Sequence, residues 1–303
     1  MNDNQNAIEI VDLWKRFGKT SAVGDLSMRV EPGRVVGFLG PNGAGKTTTI
    51  KMLVGLLRAD TGSVSVLGLD PFVDGLAVRQ RTGYVPEKHA LPRWMRVSDA
   101  ISFCRTFYPT WDDKLCDDLV RLFALDLGKK VRVLSKGTQV KLSLLLALAH
   151  RPELLVLDEP MAGLDPLVRE ELVDGILQTV GNHPRTILFS SHTFADVQRL
   201  ADEVAIIHEG RLLTQCSVEQ LLTRTKRLRA VLADGATPDA APEGTIWQRR
   251  NRREWLMTVR EFSQDTLERV RNQNRLENIE VIDLSLEDIF KDFIRGQRST
   301  PCT

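Results

Sequence analysis

The sequence has no apolar run long enough to cross a bilayer. Its longest, Leu142 to Ala149 and Leu154 to Leu157, fall far short of the roughly 20 residues a spanning helix needs, so the chain is not expected to span a membrane by itself. A charge bias is missing too. Forty-one Lys plus Arg stand against 40 Asp plus Glu, a formal net charge of +1, which removes whole-chain attraction to nucleic acid or anionic lipid as an argument. Four cysteines, Cys104, Cys116, Cys216 and Cys302, form no C-x-x-C pair and have no histidine at metal-ligand spacing, so they read as reduced thiols. The start, Met1 to Asn6, is polar and has no apolar signal-peptide core, which predicts residence in the cytosol. No internal repeat is visible.

What is there fits one large domain plus a small one: 303 residues, 42% hydrophobic and 27% charged. From Ile8 to Asp70 short apolar runs alternate with turns, which predicts strands interrupted by one helix after Lys46. Helical spacing takes over between Val97 and Leu127, giving a helical insertion at about 90–150. Leu154 to Leu157, Ile187 to Phe189 and Val204 to Ile207 read as buried strands with helices between them, the pattern of a parallel core sheet. Composition shifts after Thr223. The expected domains are therefore 1–223 and 224–303, the second a small α+β appendage whose last helix, from Leu286, starts at a capping-box-like Ser285 and Asp288.

Gly40, Pro41, Asn42, Gly43, Ala44, Gly45, Lys46, Thr47 and Thr48 follow the apolar run Val35 to Leu39 and open a helix, the strand-loop-helix setting of a P-loop. Glycines let backbone N–H groups and a helix N-terminus converge on phosphate oxygens. Lys46 supplies charge to the β- and γ-phosphates, and the Thr47 hydroxyl can ligate Mg²⁺. Asp158 and Glu159 end a strand, where the first carboxylate can hold Mg²⁺ and the second can orient or deprotonate an attacking water. His192 emerges after another strand, at the same sheet edge.

This order of motifs resembles the ATP-binding subunits of ABC transporters over about Ile8 to Leu222. Leu134-Ser-Lys-Gly-Thr-Gln139 resembles the family's signature motif, which implies that Ser135, Gly137, Thr138 and Gln139 reach the γ-phosphate bound by an opposite subunit. Ala162-Gly-Leu-Asp165 matches its D-loop, Ser191-His192 its switch histidine, and Phe17 the aromatic that stacks on adenine, with a core phenylalanine as the alternative. Two departures stand out. Glu87, in Tyr84-Val-Pro-Glu87, replaces the usual glutamine and is a further candidate for the metal; Lys136 and Thr138 stand where glycine and glutamine are commoner.

The resemblance implies an α/β P-loop fold of ABC type, with a strand-rich lobe, a parallel core sheet and a helical insertion. It also implies ATP and Mg²⁺ as cofactors and ATP hydrolysis coupled to transport. The expected partners are a second ATPase subunit and membrane-spanning subunits that would hold the protein at the inner face of the cell membrane. The Leu-Ser-Lys-Gly variant and the Leu286-Glu-Asp-Ile-Phe290 tail resemble those of type-2 exporters, so export is favoured over import. A non-transport relative acting on nucleic acid is the rival reading; no second cassette, zinc module or coiled coil supports it, and no nucleic-acid partner is expected. Arg249-Arg-Asn-Arg-Arg253, the one dense basic run, reads as a solvated hairpin turn. Lys88-His-Ala-Leu-Pro-Arg-Trp-Met95 places Trp94 either in the core or on a docking surface for a membrane subunit.

Overall fold

Apolar alternation sets the first elements. In the computed structural model, which describes residues 6–88, 91–181, 185–238 and 240–299, β1 (Ile8–Phe17) and β2 (Thr20–Val30) pair as an antiparallel hairpin. Ile8, Ile10 and Leu13 are buried, as are Val23, Leu26, Met28 and Val30, the period of two of a strand with one face on a core, stepped by one residue where the pairing shifts register between Ile10 and Leu13. The start before Asn6, His89 and Ala90 in the segment leading to Trp94, and Cys302 lie outside the described residues.

The chain continues through β3 (Val35–Leu39), α1 (Lys46–Leu53), β4 (Thr61–Val66), α2 (Gly75–Arg81) and β5 (Thr82–Val85). Three helices follow, α3 (Val97–Arg105), α4 (Asp113–Leu122) and α5 (Lys136–Leu148). Then come β6 (Leu154–Leu157), α6 (Pro166–Gly181), β7 (Thr186–Ser191), α7 (Phe194–Leu200), β8 (Glu203–His208) and β9 (Arg211–Ser217). The remainder is α8 (Val218–Arg224), β10 (Lys226–Leu232), β11 (Thr245–Asn251), β12 (Glu254–Val259), α9 (Gln264–Gln273), β13 (Leu276–Asp283) and α10 (Leu286–Ser299).

Two compact units result, Met1–Gln215 and Cys216–Thr303. The division falls inside β9, earlier than the change of composition after Thr223, because α8 packs with the second unit. In the first unit a small sheet, β2-β1-β4, accompanies a six-stranded sheet ordered β5-β6-β7-β3-β8-β9. β5, β6, β7, β3 and β8 are parallel neighbours; β9 joins through the turn Glu209-Gly210, both at positive φ, as a tight hairpin requires. All four residues of β6 and all five of β3 are buried, at roughly 1.5–3 kcal/mol per large apolar side chain. That burial fixes the strand ends from which the P-loop, Asp158-Glu159 and Ser191-His192 emerge, all at the carboxyl edge where open α/β sheets bind ligands.

The second unit is an antiparallel sheet ordered β11-β12-β10-β13, with Leu228, Ala230, Trp255 and Met257 packed against Leu267 and Val270 of α9. The basic run does not sit wholly in a turn: Arg249 and Arg250 belong to β11, and only Arg252 and Arg253 make the tip of the β11–β12 hairpin. On the opposite sheet face Asp292 of α10, 0% exposed, accepts hydrogen bonds from the Thr258 hydroxyl at 2.6 Å and the Arg227 guanidinium at 2.5 Å. Removing one member of a buried charged pair strands the other. Asp292→Ala is therefore expected to destabilise this unit by about 3 kcal/mol in urea unfolding, and a loss below about 1 kcal/mol would show that the pair is relieved by solvent.

Candidate active site

The loop between β3 and α1 wraps its backbone around a small concavity. Gly45 caps α1 in the left-handed region at φ 103, where a side chain would be strained and its Cβ would come within 2.5 Å of the Ala22 carbonyl oxygen. Lys46 opens α1 and is only 6% exposed. Its ammonium donates to the carbonyls of Gly40 at 2.6 Å and Pro41 at 3.2 Å, and lies 3.2 Å from Glu159 Oε1. The loop amides, the N-terminus of α1 and this cation together form an anion seat.

Behind the seat stand the carboxylates that end β6. Thr47 Oγ1 donates to Asp158 Oδ1 at 3.1 Å, and Ser190 Oγ, at the end of β7, donates to the same oxygen at 2.9 Å. Burial pushes the Asp158 carboxyl above its usual range; the hydrogen bonds from Ser190 and Thr47 oppose the shift, and the neighbouring Glu87 and Glu159 charges add to it. The Tyr84 phenol is pushed up to about 12 by burial and by the same acidic neighbours, Asp158 and Glu87. Glu159 has φ 49, a left-handed backbone that costs on the order of 1–2 kcal/mol for a residue with a Cβ. Its N–H donates to Ser190 Oγ at 2.8 Å and its Oε2 lies 2.7 Å from His192 Nδ1. Glu159 is thus held from three sides, by Lys46, Ser190 and His192.

A cavity of about 510 Å³ joins these groups, lined by Pro41 through Thr48 together with Phe17, Glu87, Glu159 and His192. Phe17 is 53% exposed at its mouth, which removes the core alternative for that residue, and Lys15 Nζ sits 5.7 Å from its ring centre. Thr47, Asp158 and Glu87 give an oxygen-only donor set. Such a set suits a hard divalent cation, and the unfavourable ionisation of Asp158 among other carboxylates is what a cation there would relieve.

Ser135, Gly137, Thr138, Gln139 and Asp165 do not line this cavity. Ser135 instead caps α5, accepting from the Thr138 N–H at 3.2 Å. Gln139 Nε2 donates to the Leu134 carbonyl at 3.0 Å, and Asp165 accepts from the Val168 N–H at 3.0 Å at the start of α6. Ser190 is the residue that the motif order underrates: its hydroxyl donates to the Asp158 carboxylate and accepts from the Glu159 backbone N–H, and its only signal in the sequence is a polar residue ending an apolar strand.

Comparison with known proteins gives the family. The family profile described as ABC transporter matches residues 23–162. The bacitracin transport ATP-binding protein BcrA of Bacillus licheniformis is 33% identical over 222 residues, covering 73% of this chain and 72% of the relative. A Nod factor export ATP-binding protein I of Burkholderia lata is 36% identical over 220 residues, covering 71% and 72%. A solved ATP-binding subunit of an ABC transporter superposes with a TM-score of 0.66 at 27% identity, over 72% of this chain and 92% of the other. Fold, site geometry and these likenesses lead to one conclusion: the chain belongs to the ATP-binding proteins of the ABC transporter family.

Proposed function

We propose that this protein is the ATP-hydrolysing subunit of an ABC transporter that works in export, driving separate membrane-spanning subunits by ATP-dependent dimerisation. The observation that carries the reading is the convergence of Lys46, Glu159 and His192 on one cavity, with Asp158 directly behind it on the Thr47 hydroxyl. The export relative is named for Nod factor, which supports the direction and leaves this chain's cargo to its membrane partner.

In this reading the P-loop amides and Lys46 bind the β- and γ-phosphates, and Phe17 gives the adenine a flat apolar face. Thr47 and Asp158, with Glu87 nearby, would hold Mg²⁺, which would supply positive charge to offset that of the phosphate oxygens. Phosphate competes with Glu159 Oε1 for the Lys46 ammonium. Glu159 is then free to accept a proton from the attacking water, while His192 keeps its other oxygen in place. The strained backbone at Glu159 aims the carboxylate at the seat instead of along the strand.

Ser135 and Gly137 lie outside the cavity of their own chain, which fits a second chain presenting its signature segment to the phosphate. The boundaries proposed for the working parts are 1–223 for the ATPase and 224–303 for an accessory domain. No helix among the described residues is long and apolar enough to cross a membrane, so attachment to the inner face runs through the membrane subunits. Trp94 is their proposed contact. It is 71% exposed, which excludes the core alternative, and Leu91 beside it lines an apolar cavity of about 330 Å³ with Val54, Val78, Tyr84 and Leu146.

Glu159→Gln is expected to slow hydrolysis by at least ~10²-fold and, with ATP present, to accumulate a two-fold dimer in sedimentation. A species that stays monomeric at saturating ATP contradicts the sandwich. Trp94→Ala is expected to weaken retention on the membrane subunit by about 30-fold, the scale of an aromatic hot spot, with ATPase of the isolated protein preserved. Equal retention would move the docking surface elsewhere.

A further inference from the structure

We propose that Lys136 is a positioning residue that ties the signature segment to the loop following Glu159, so that both move as one block when two chains close over ATP; this rests on the dimeric reading above. The Lys136 ammonium donates to the Ala162 carbonyl at 2.6 Å. It lies over Gly163 so closely that a Cβ there would come within 3.0 Å of it. Ala162 in turn lines the active-site cavity, and its N–H donates to the Glu159 carbonyl at 3.1 Å. A chain of two hydrogen bonds therefore runs from the first helical residue of α5 to the residue that faces the water.

Two further contacts hold the same pair of elements. A Cβ on Gly137 would come within 2.6 Å of Val168 Cγ1, so the first turn of α5 packs directly on α6. One turn along, Lys141 Nζ meets Glu171 Oε2 at 2.5 Å. These fix helix against helix, whereas Lys136 reaches the loop itself. Where glycine occupies this position, as is commoner in the family, no such tie can form. Lys136 thus converts two separate motifs into one rigid unit: a shift of the Glu159 loop on phosphate binding is passed to Ser135 and Gly137, which face the opposite subunit's nucleotide. Two sites joined through a shared element are coupled in binding, commonly by 5- to 150-fold.

The test uses the full chain with Glu159→Gln as parent, so that ATP is not consumed. Lys136→Met keeps the length and loses the donor; Lys136→Arg keeps a donor. The methionine variant is expected to bind MgATP as monomer with the parent's affinity, to dimerise about 10-fold less tightly, and to show faster amide exchange at residues 161–165 before nucleotide is added. Arginine should restore most of both effects. Parental dimer affinity and exchange in Lys136→Met would overturn the assignment, as would an arginine variant indistinguishable from methionine. Unchanged exchange with weakened dimerisation would also overturn it, since Lys136 would then act on the opposite nucleotide and not on its own loop. A parent that stays monomeric refutes the sandwich reading and this assignment with it.

Discussion

A glycine-rich backbone loop and a buried lysine ammonium create positive potential that something must balance, and here the balance is the Glu159 carboxylate, with Oε1 3.2 Å from Lys46 Nζ. Lys46 also donates to two carbonyls of its own loop, so the cation stitches the phosphate seat closed on itself and holds the water-facing carboxylate beside it. The other carboxylate cannot share that charge. Asp158 is left to two hydroxyls, Thr47 and Ser190, which explains why burial still raises its pKa and why a divalent cation fits next to it. The shape of the seat and the separate settings of the two carboxylates follow from how one lysine divides its bonds.

The rest of the first unit serves to place these groups. Parallel strands β3, β6 and β7 are buried end to end, and their carboxyl ends deliver Lys46, Glu159 and His192 to one edge although they lie far apart in sequence. Ser135, Gly137, Thr138, Gln139 and Asp165, at the starts of α5 and α6, lie outside the cavity at that edge, whereas Ala162 lines it. In the proposed reading a single chain holds the nucleotide, and a second chain closes the site over it.

Much of this was legible in the residues. The P-loop and the Asp158-Glu159 pair follow uninterrupted apolar runs, and a buried strand ending in polar chemistry leaves few other readings. Phe17 and Trp94 were ambiguous because an aromatic side chain serves a core and a binding surface equally well; only exposure separates the two. β5 escaped because four residues, one of them glycine, followed by Pro86 carry too little periodicity. β11 escaped because an edge strand with Gln248, Arg249 and Arg250 exposed looks like a loop until its pairing with β12 is seen. The Lys136–Ala162 bond and the bracing by Ser190 are tertiary contacts, and neither has a local signature. For the same reason the division inside β9 could not be read from composition, which changes only after α8.

The account stands or falls on the phosphate seat. Calorimetric titration of MgATP into Lys46→Ala, beside thermal unfolding of the same sample, tests it most directly. Loss of the charged donor predicts binding weakened by about 10- to 100-fold in a variant that still unfolds cooperatively, at a lowered temperature because Glu159 loses its buried partner. Wild-type affinity in the folded variant would contradict the account.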